Sequence, residues 1–147
     1  MSNKTVMVSG KFDPPHDGHI DHIVKASKLG DYLIIITHTD KVIKELKGYC
    51  NIPLWARVVL LKGILLNYNI KGDVLISLDT DGLSARSLIA YRPNVYAKGG
   101  DRTPLTMPTA EIEACKQIRC KIVYGCGDLL NSSSKMGNIK ERKIATH

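Results

Sequence analysis

The sequence predicts a doubly wound α/β fold, one domain over residues 1–147, with five parallel strands and helices on both faces of the sheet. Three observations predict it. Short β-branched apolar runs alternate with helix-period segments along the whole chain. The run Tyr32-Leu-Ile-Ile-Ile-Thr37 has no in–out alternation, the mark of a strand covered on both faces, as in a parallel sheet. The polar and glycine-rich loops fall at the carboxyl ends of the predicted strands, where open α/β sheets bind ligands.

The elements follow in order. Thr5–Ser9 is short, β-branched and apolar and reads as the first strand. Ile20, Ile23, Val24 and Ser27 fall at helical spacing, so the first helix is expected to end near Leu29, with Gly30 as its left-handed terminal glycine. Tyr32–Thr37 is the second strand, and Asp40–Leu46 a short helix stopped by Gly48. Pro53 suits a first helical position. Leu54–Leu66 is apolar on most of its circumference and is expected to be a well-buried helix. Asp73–Ser77 is the third strand, Ser84–Ala90 a short helix closed by Tyr91-Arg92-Pro93, and Asn94–Lys98 the fourth strand. Thr109–Ile118 is a helix, Lys121–Tyr124 the fifth strand, and a last short helix is expected to begin near Ser132 or Ser133.

At 147 residues, 44% hydrophobic and 24% charged, the chain reads as an ordinary soluble globular domain. The first ten residues hold no apolar signal-peptide core, and no apolar run approaches the ~18 residues of a membrane span. A reducing, cytoplasmic location is therefore expected, with Cys50, Cys115, Cys120 and Cys126 as thiols. None of them forms a C-x-x-C pair, which argues against a structural zinc site. The net charge of +7 suits an anionic ligand, either a nucleoside triphosphate or nucleic acid, and equally serves solubility. Nucleic acid is the weaker candidate. There is no arginine-rich arm or aromatic-interleaved basic tract, and the long basic cluster, Lys135–Lys143, lies at the C-terminal end.

Four loops carry the chemistry: Gly10–His19, Thr37–Asp40, Lys98–Thr103 and Gly125–Ser134. In the first, GKFDPPHDGH, Gly10 allows a sharp bend after the strand, and Gly18 and His19 fall where the next helix begins. Helix-terminal amides and the helix dipole favour an anion there. His16 and His19 add imidazole N–H donors and Lys11 a charge, a set suited to a phosphate chain whose charge shifts during reaction. The plainer alternative makes both histidines turn residues with Asp17 as the cap. A tri-histidine metal site with His22 is disfavoured, because His22 is expected inside the helix and turned away. The loop has neither G-x-x-x-x-G-K-[ST] nor G-x-G-x-x-G.

Ser9-Gly-Lys-Phe-Asp13 followed by His16-Asp-Gly-His19 resembles the GxFDxxHxGH signature of the cytidylyltransferase-like nucleotidyltransferases. Lys28–Thr37 resembles their KLGD-strand element, Thr39-Asp40 their S/T-D, and Lys47-Gly48 with Pro53 and Arg57 their K-G … P … R pattern. Lys98-Gly-Gly-Asp101 is similar to the KGGD of the bacterial heptose-phosphate adenylyltransferase domain, and Asn131-Ser-Ser-Ser-Lys135 resembles the closing ISTT or SST element. The match runs in order from about Val6 to about Lys140. HxGH alone is shared with class I aminoacyl-tRNA synthetases, which are far larger and carry a KMSKS loop that Ser132–Met136 only faintly echoes.

The resemblance implies a Rossmann-like domain that transfers CMP or AMP from CTP or ATP to a phosphorylated small-molecule alcohol or sugar. Pyrophosphate is released, and CTP is slightly favoured as donor. It implies that His16 and His19 contact the triphosphate and its transition state, and that Lys47 and Arg57 meet phosphate, with Lys44 the rival of Lys47. Ser9, Gly10, Lys11, Phe12 and Gly18 would cradle phosphates, with Asp13 ordering the loop. Lys98, Gly99, Gly100 and Asp101 would lie near base and ribose, and Ser132, Ser133 and Ser134 would hold the β- and γ-phosphates. Thr39, Asp40, Lys44 and Arg102 are the candidates for the acceptor side, with 80–83 and 105–109 as variable segments that set its identity. Mg²⁺ is expected with the triphosphate, held by phosphate oxygens and water and not by direct protein ligands. A homodimer is expected, as in related enzymes.

Two departures stand out. Tyr124–Asp128 occupies the place of an arginine-containing run in glycerol-phosphate cytidylyltransferases, and Arg102-Thr-Pro follows KGGD where the heptose type has tyrosine. The +7 charge motivates the alternative of a non-catalytic nucleotide- or nucleic-acid-binding module of the same fold.

Overall fold

A computed structural model describes residues 3–100 and 102–127. The elements are β1 (Thr5–Gly10), α1 (Asp17–Ser27), β2 (Tyr32–Thr37), α2 (Asp40–Lys47), α3 (Leu54–Asn67), β3 (Gly72–Ile76), α4 (Ala85–Tyr91), β4 (Val95–Ala97), α5 (Thr109–Ile118) and β5 (Lys121–Val123). The five strands form one sheet in the order β3-β2-β1-β4-β5, and every pairing is parallel. This is the expected doubly wound, Rossmann-like sheet.

The pleat of the central strand divides the core. Val6 and Val8 face one side with Leu33, Ile35 and Val74, under Ile23 and Ala26 of α1 and Leu61 and Leu65 of α3. Met7 faces the other with Ile34, Ile36 and Tyr96, under Leu88 of α4 and Ala114 and Cys115 of α5. Burial on both faces explains why β2 reads as an unbroken apolar run. The chain winds outward from β1 to β2 and β3, then returns to place β4 on the other side of β1. The switch point is therefore between β1 and β4, at Gly10 and Ala97.

Two local expectations are corrected. Gly30 does not close α1: the helix stops at Ser27, and Lys28 caps it in right-handed geometry. Gly30 is needed for close approach, because a Cβ there would lie 2.6 Å from the Lys4 carbonyl oxygen and 2.8 Å from a Val6 methyl. The second correction concerns α3, which is not buried on most of its circumference. Arg57, Leu61 and Leu65, at i, i+4 and i+8, are its buried residues. Trp55 is 71% exposed, Val59 61% and Leu66 80%. The helix lies against β2 and β3 with one stripe, flanked by the partly buried Val58 and Ile64, so Trp55, Val59 and Leu66 have little cover within the described residues. The helix expected from Ser132 or Ser133 lies outside the described residues. Among those described, no helix is long and apolar enough to cross a membrane.

Candidate active site

The opening loop builds a helix cap from its two histidines. His16 is the N-cap of α1 in extended geometry. Its Nδ1 accepts from the Gly18 amide at 3.2 Å, while its own amide donates to Nδ1 of His19 at 3.1 Å. This is a capping box with imidazoles in place of the usual hydroxyl and carboxylate. Because each Nδ1 accepts, the proton of each neutral ring resides on Nε2. The rings stack with centroids 3.7 Å apart, and the Phe12 ring meets His19 edge-on at 4.8 Å. Burial, then the neighbouring His16 and His22, push the His19 pKa from 6.5 down to about 3. His19 is thus a neutral Nε2–H donor at pH 7.

Asp13 orders the loop, as expected. Its carboxylate accepts from the Asn51 amide at 2.7 Å, the Ile52 amide at 2.8 Å and Lys47 Nζ at 3.0 Å. Burial alone would push its pKa up, but these three donors together hold it below the ordinary value. Lys47 is thereby committed to Asp13, and its ammonium also sits 4.9 Å from the Tyr49 ring centroid.

Arg57 departs from what the resemblance implied. It is 0% exposed. Its Nη1 donates to Thr37 Oγ1 at 2.6 Å, the His38 carbonyl at 2.7 Å and the Lys11 carbonyl at 3.2 Å. Its Nε donates to the Ile52 carbonyl at 3.2 Å, and its Nη2 to Asp40 Oδ1 at 2.6 Å. The guanidinium fork is consumed as a brace between the loop after β1, the end of β2, the start of α2 and the entry to α3. Buried on all sides, the guanidinium is spent on acceptors within the protein. Thr39 caps α2 through Oγ1, accepting from the Val42 amide at 3.3 Å. Asp40 lines a cavity of about 490 Å³ with Lys41, Lys44, Cys50, Asn51 and Pro53.

A second cavity, about 170 Å³, opens at the switch point. The end of β1 lines it with Ser9, Gly10 and Phe12, α1 with His19 and His22, and the segment after β4 with Lys98, Gly99 and Arg102. The fold thus gathers seven of the expected residues around one space, and Gly18 lies buried beside them in the first turn of α1. Among the described residues, two imidazoles, an ammonium and a guanidinium line it without a carboxylate, a set that fits a polyanion. Lys44 and Asp40 lie on the other cavity, Thr39 at the cap of α2, Lys47 at Asp13, and Arg57 inside. Lys11 contributes its carbonyl to Thr37 and Arg57, and the Gly100 amide donates to the Gly127 carbonyl at 2.7 Å. Asp101, Ser132, Ser133 and Ser134 lie outside the described residues. Among the described residues, no group of three His, Cys, Asp or Glu is placed to hold a metal ion.

His22 was expected to turn away. Instead it lines the same cavity as His19, three residues along one helix face, with Nδ1–H donated to the Cys126 carbonyl. The sequence reading also missed Ser84, Tyr96 and Glu111, buried beneath the cavity. One signal was present: Tyr96 is two residues before Lys98 on one strand, so both face the same side.

Residues 7–123 match the family described as cytidylyltransferase-like. The bifunctional protein HldE of Actinobacillus succinogenes is 36% identical over 117 residues, covering 78% of this chain and 22% of that protein. HldE of Histophilus somni is 36% identical over 103 residues, covering 69% and 20%. The chain thus spans about a fifth of the length of these curated relatives. Among solved structures, the lipopolysaccharide core biosynthesis protein from Thermoplasma volcanium superposes with a TM-score of 0.66 at 21% identity, covering 86% of this chain and 98% of that one. A protein with unknown function from Archaeoglobus fulgidus gives 0.61 at 16% identity, covering 88% and 93%. At those identities the likeness shows the fold. The match over residues 7–123 and the HldE likeness give one answer: the chain belongs to the cytidylyltransferase-like family.

Proposed function

We propose that this domain transfers a nucleoside monophosphate from a nucleoside triphosphate to a phosphate oxygen of a small phosphorylated acceptor. The observation that carries the reading is the shared imidazole cap. It leaves the Nε2–H groups of two stacked rings free to donate, one of them lining the switch-point cavity together with Lys98. An acceptor P–O⁻ attacks the α-phosphorus, the bond from that phosphorus to the bridging oxygen of the β-phosphate breaks, and pyrophosphate leaves with the negative charge. No covalent enzyme intermediate is needed, so catalysis consists of positioning and of donors aimed at developing charge. His16 and His19 donate to the reacting phosphate. Lys98 supplies the charge from the segment after β4, and Gly10 and Gly18 lie where the backbone comes close. Asp101 and Ser132–Ser134 remain proposed contacts for ribose and for the β- and γ-phosphates.

Mg²⁺ supplies charge neutralisation when bound with the triphosphate. The cationic, N–H-rich lining fits the anion that carries such an ion, with phosphate oxygens and water as its ligands. The acceptor's phosphate belongs at Lys44 and Lys41 in the larger cavity, with Arg102 as the rival contact. For the donor we favour ATP over the CTP that the sequence reading favoured. The KGGD stretch resembles the heptose-phosphate adenylyltransferase, and the HldE likeness spans it. A homodimer forms through the exposed outer face of α3.

The test is pyrophosphate release with each nucleoside triphosphate, Mg²⁺ and a panel of sugar and polyol phosphates. Turnover with ATP exceeding CTP is expected. Absence of turnover with every donor across a broad panel overturns the reading, and equal or greater turnover with CTP overturns the donor assignment.

A further inference from the structure

Beneath the switch-point cavity runs a buried polar chain that joins four elements. Ser84, just before α4, is 1% exposed, Tyr96 of β4 0% and Glu111 of α5 3%. Tyr96 Oη donates to Glu111 Oε1 at 3.0 Å, which uses its single proton, since a carboxylate can only accept. The Ser9 hydroxyl at 3.1 Å must then donate to Tyr96, and the Ser84 hydroxyl donates to Ser9 at 2.9 Å. Lys98 Nζ donates to the same Tyr96 oxygen at 3.2 Å and sits 4.8 Å from the centroid of its ring. The Ser84 amide completes the carboxylate at 2.9 Å. Every proton in the chain points toward Glu111, and both lone pairs of the phenol are filled.

We propose that Tyr96 and Glu111 are positioning residues that hold the Lys98 ammonium at the switch-point cavity. The inference rests on reading that cavity as the triphosphate site. A lysine carries a flexible four-carbon stem whose ordering on binding costs affinity. Here one phenol restrains it twice, by a hydrogen bond and by its ring face. Swinging Lys98 away would leave a buried phenolic oxygen short of a donor. Burial, then the Glu111 carboxylate, push the Tyr96 phenol far above its ordinary range, so it remains a donor at any working pH. A donor fixed before the ligand arrives needs no reorganisation when charge develops.

The test is a binding cycle read by titration calorimetry with inorganic tripolyphosphate on the full chain. Lys98→Met is expected to weaken binding most, and Tyr96→Phe, which keeps the ring, roughly tenfold. In the Lys98→Met background Tyr96→Phe is expected to change nothing, because its effect passes through the lysine. Glu111→Gln keeps the shape and an oxygen acceptor and should follow the same pattern. It carries the cycle if Tyr96→Phe does not fold. Wild-type binding by Tyr96→Phe, or an equal loss in both backgrounds, overturns the positioning role and leaves the cavity assignment standing. If wild-type protein binds no tripolyphosphate, or Lys98→Met binds as wild type, the cavity assignment falls and this inference with it.

Discussion

His16 and His19 cap one helix reciprocally: the His16 amide donates to His19 Nδ1 at 3.1 Å, and His16 Nδ1 accepts from the Gly18 amide at 3.2 Å. The bonds that hold the helix end also place the protons on the outer nitrogens of both rings. Structure and chemistry separate at His16. His16→Asn retains a cap acceptor and should leave the melting temperature close to wild type, while His16→Ala loses about 1 kcal/mol of cap stability. Both should lower pyrophosphate release about 10²–10³-fold, the usual loss on removing one donor to developing charge. Wild-type turnover by His16→Asn would show that capping is the whole role of the residue.

His19 links stability to pH. Its folded pKa, about 3, lies below its ordinary 6.5. Between those values the unfolded chain binds a proton that the folded protein refuses. Stability is therefore fully present above about pH 6.5 and falls as pH drops toward 3. Thermal melts at pH 7.5, 6 and 5 should show a progressive loss, and His19→Gln, which cannot take the proton, should flatten it. A profile that is as steep in His19→Gln assigns the effect elsewhere.

Arg57 separates a brace from a ligand. With its guanidinium buried and bound to Thr37, His38, Lys11, Ile52 and Asp40, Arg57→Ala strands several acceptors. A loss of about 3–5 kcal/mol is expected by chemical denaturation. Arg57→Lys should recover little of it, because an ammonium cannot span the fork. A direct phosphate ligand would behave oppositely, with unchanged stability and a raised KM for the triphosphate.

Asp13 does for the loop what Arg57 does beneath it. Asp13→Asn replaces one accepting oxygen by an NH₂ group facing amide donors from Asn51 and Ile52 and removes the charge that holds Lys47. A loss of about 1.5–3 kcal/mol is expected. Because its folded pKa is depressed, the stability Asp13 contributes is present above its unfolded value, near 4, and disappears as pH falls through the lower folded value. Urea melts of wild type and Asp13→Asn should therefore converge only in strong acid. Convergence already at pH 6 would assign the loop's order to other contacts.

What was legible in the sequence follows from the range of the physics involved. Strand and helix identities were legible because they are set by local periodicity and by burial on two faces, as β2 shows. The opening loop stood out because a glycine, a helix start and two histidines occur within ten residues. The bracing role of Arg57 was not legible, because its position in a K-G … P … R pattern says nothing about the five acceptors that surround it, four of them drawn from two distant segments. Ser84 and Glu111 were invisible for the same reason: their meeting with Tyr96 depends on the return of the chain across β1. Gly30 looked like a helix stop because φ cannot be read from sequence, whereas its crowding against Lys4 and Val6 is a tertiary fact.

The periodicity of α3 was legible, but its burial was not, since apolar content does not tell a core helix from an interface helix. Trp55, Val59 and Leu66 lie together on the outer side. Gly63 falls among them, and a Cβ there would meet nothing within 4 Å, so the backbone is open to close approach. The neighbouring charge, Lys62, lies 3.9 Å from Asp73. An apolar stripe along one helix is self-complementary when two copies cross on a two-fold axis, each side chain meeting its own symmetry mate's neighbours. Light scattering at micromolar concentration should give twice the 16.2 kDa chain mass, and Trp55→Glu with Val59→Glu should return it to one chain without lowering the folded fraction by circular dichroism. A wild-type mass of a single chain at these concentrations would instead assign the stripe to a segment or partner of different sequence.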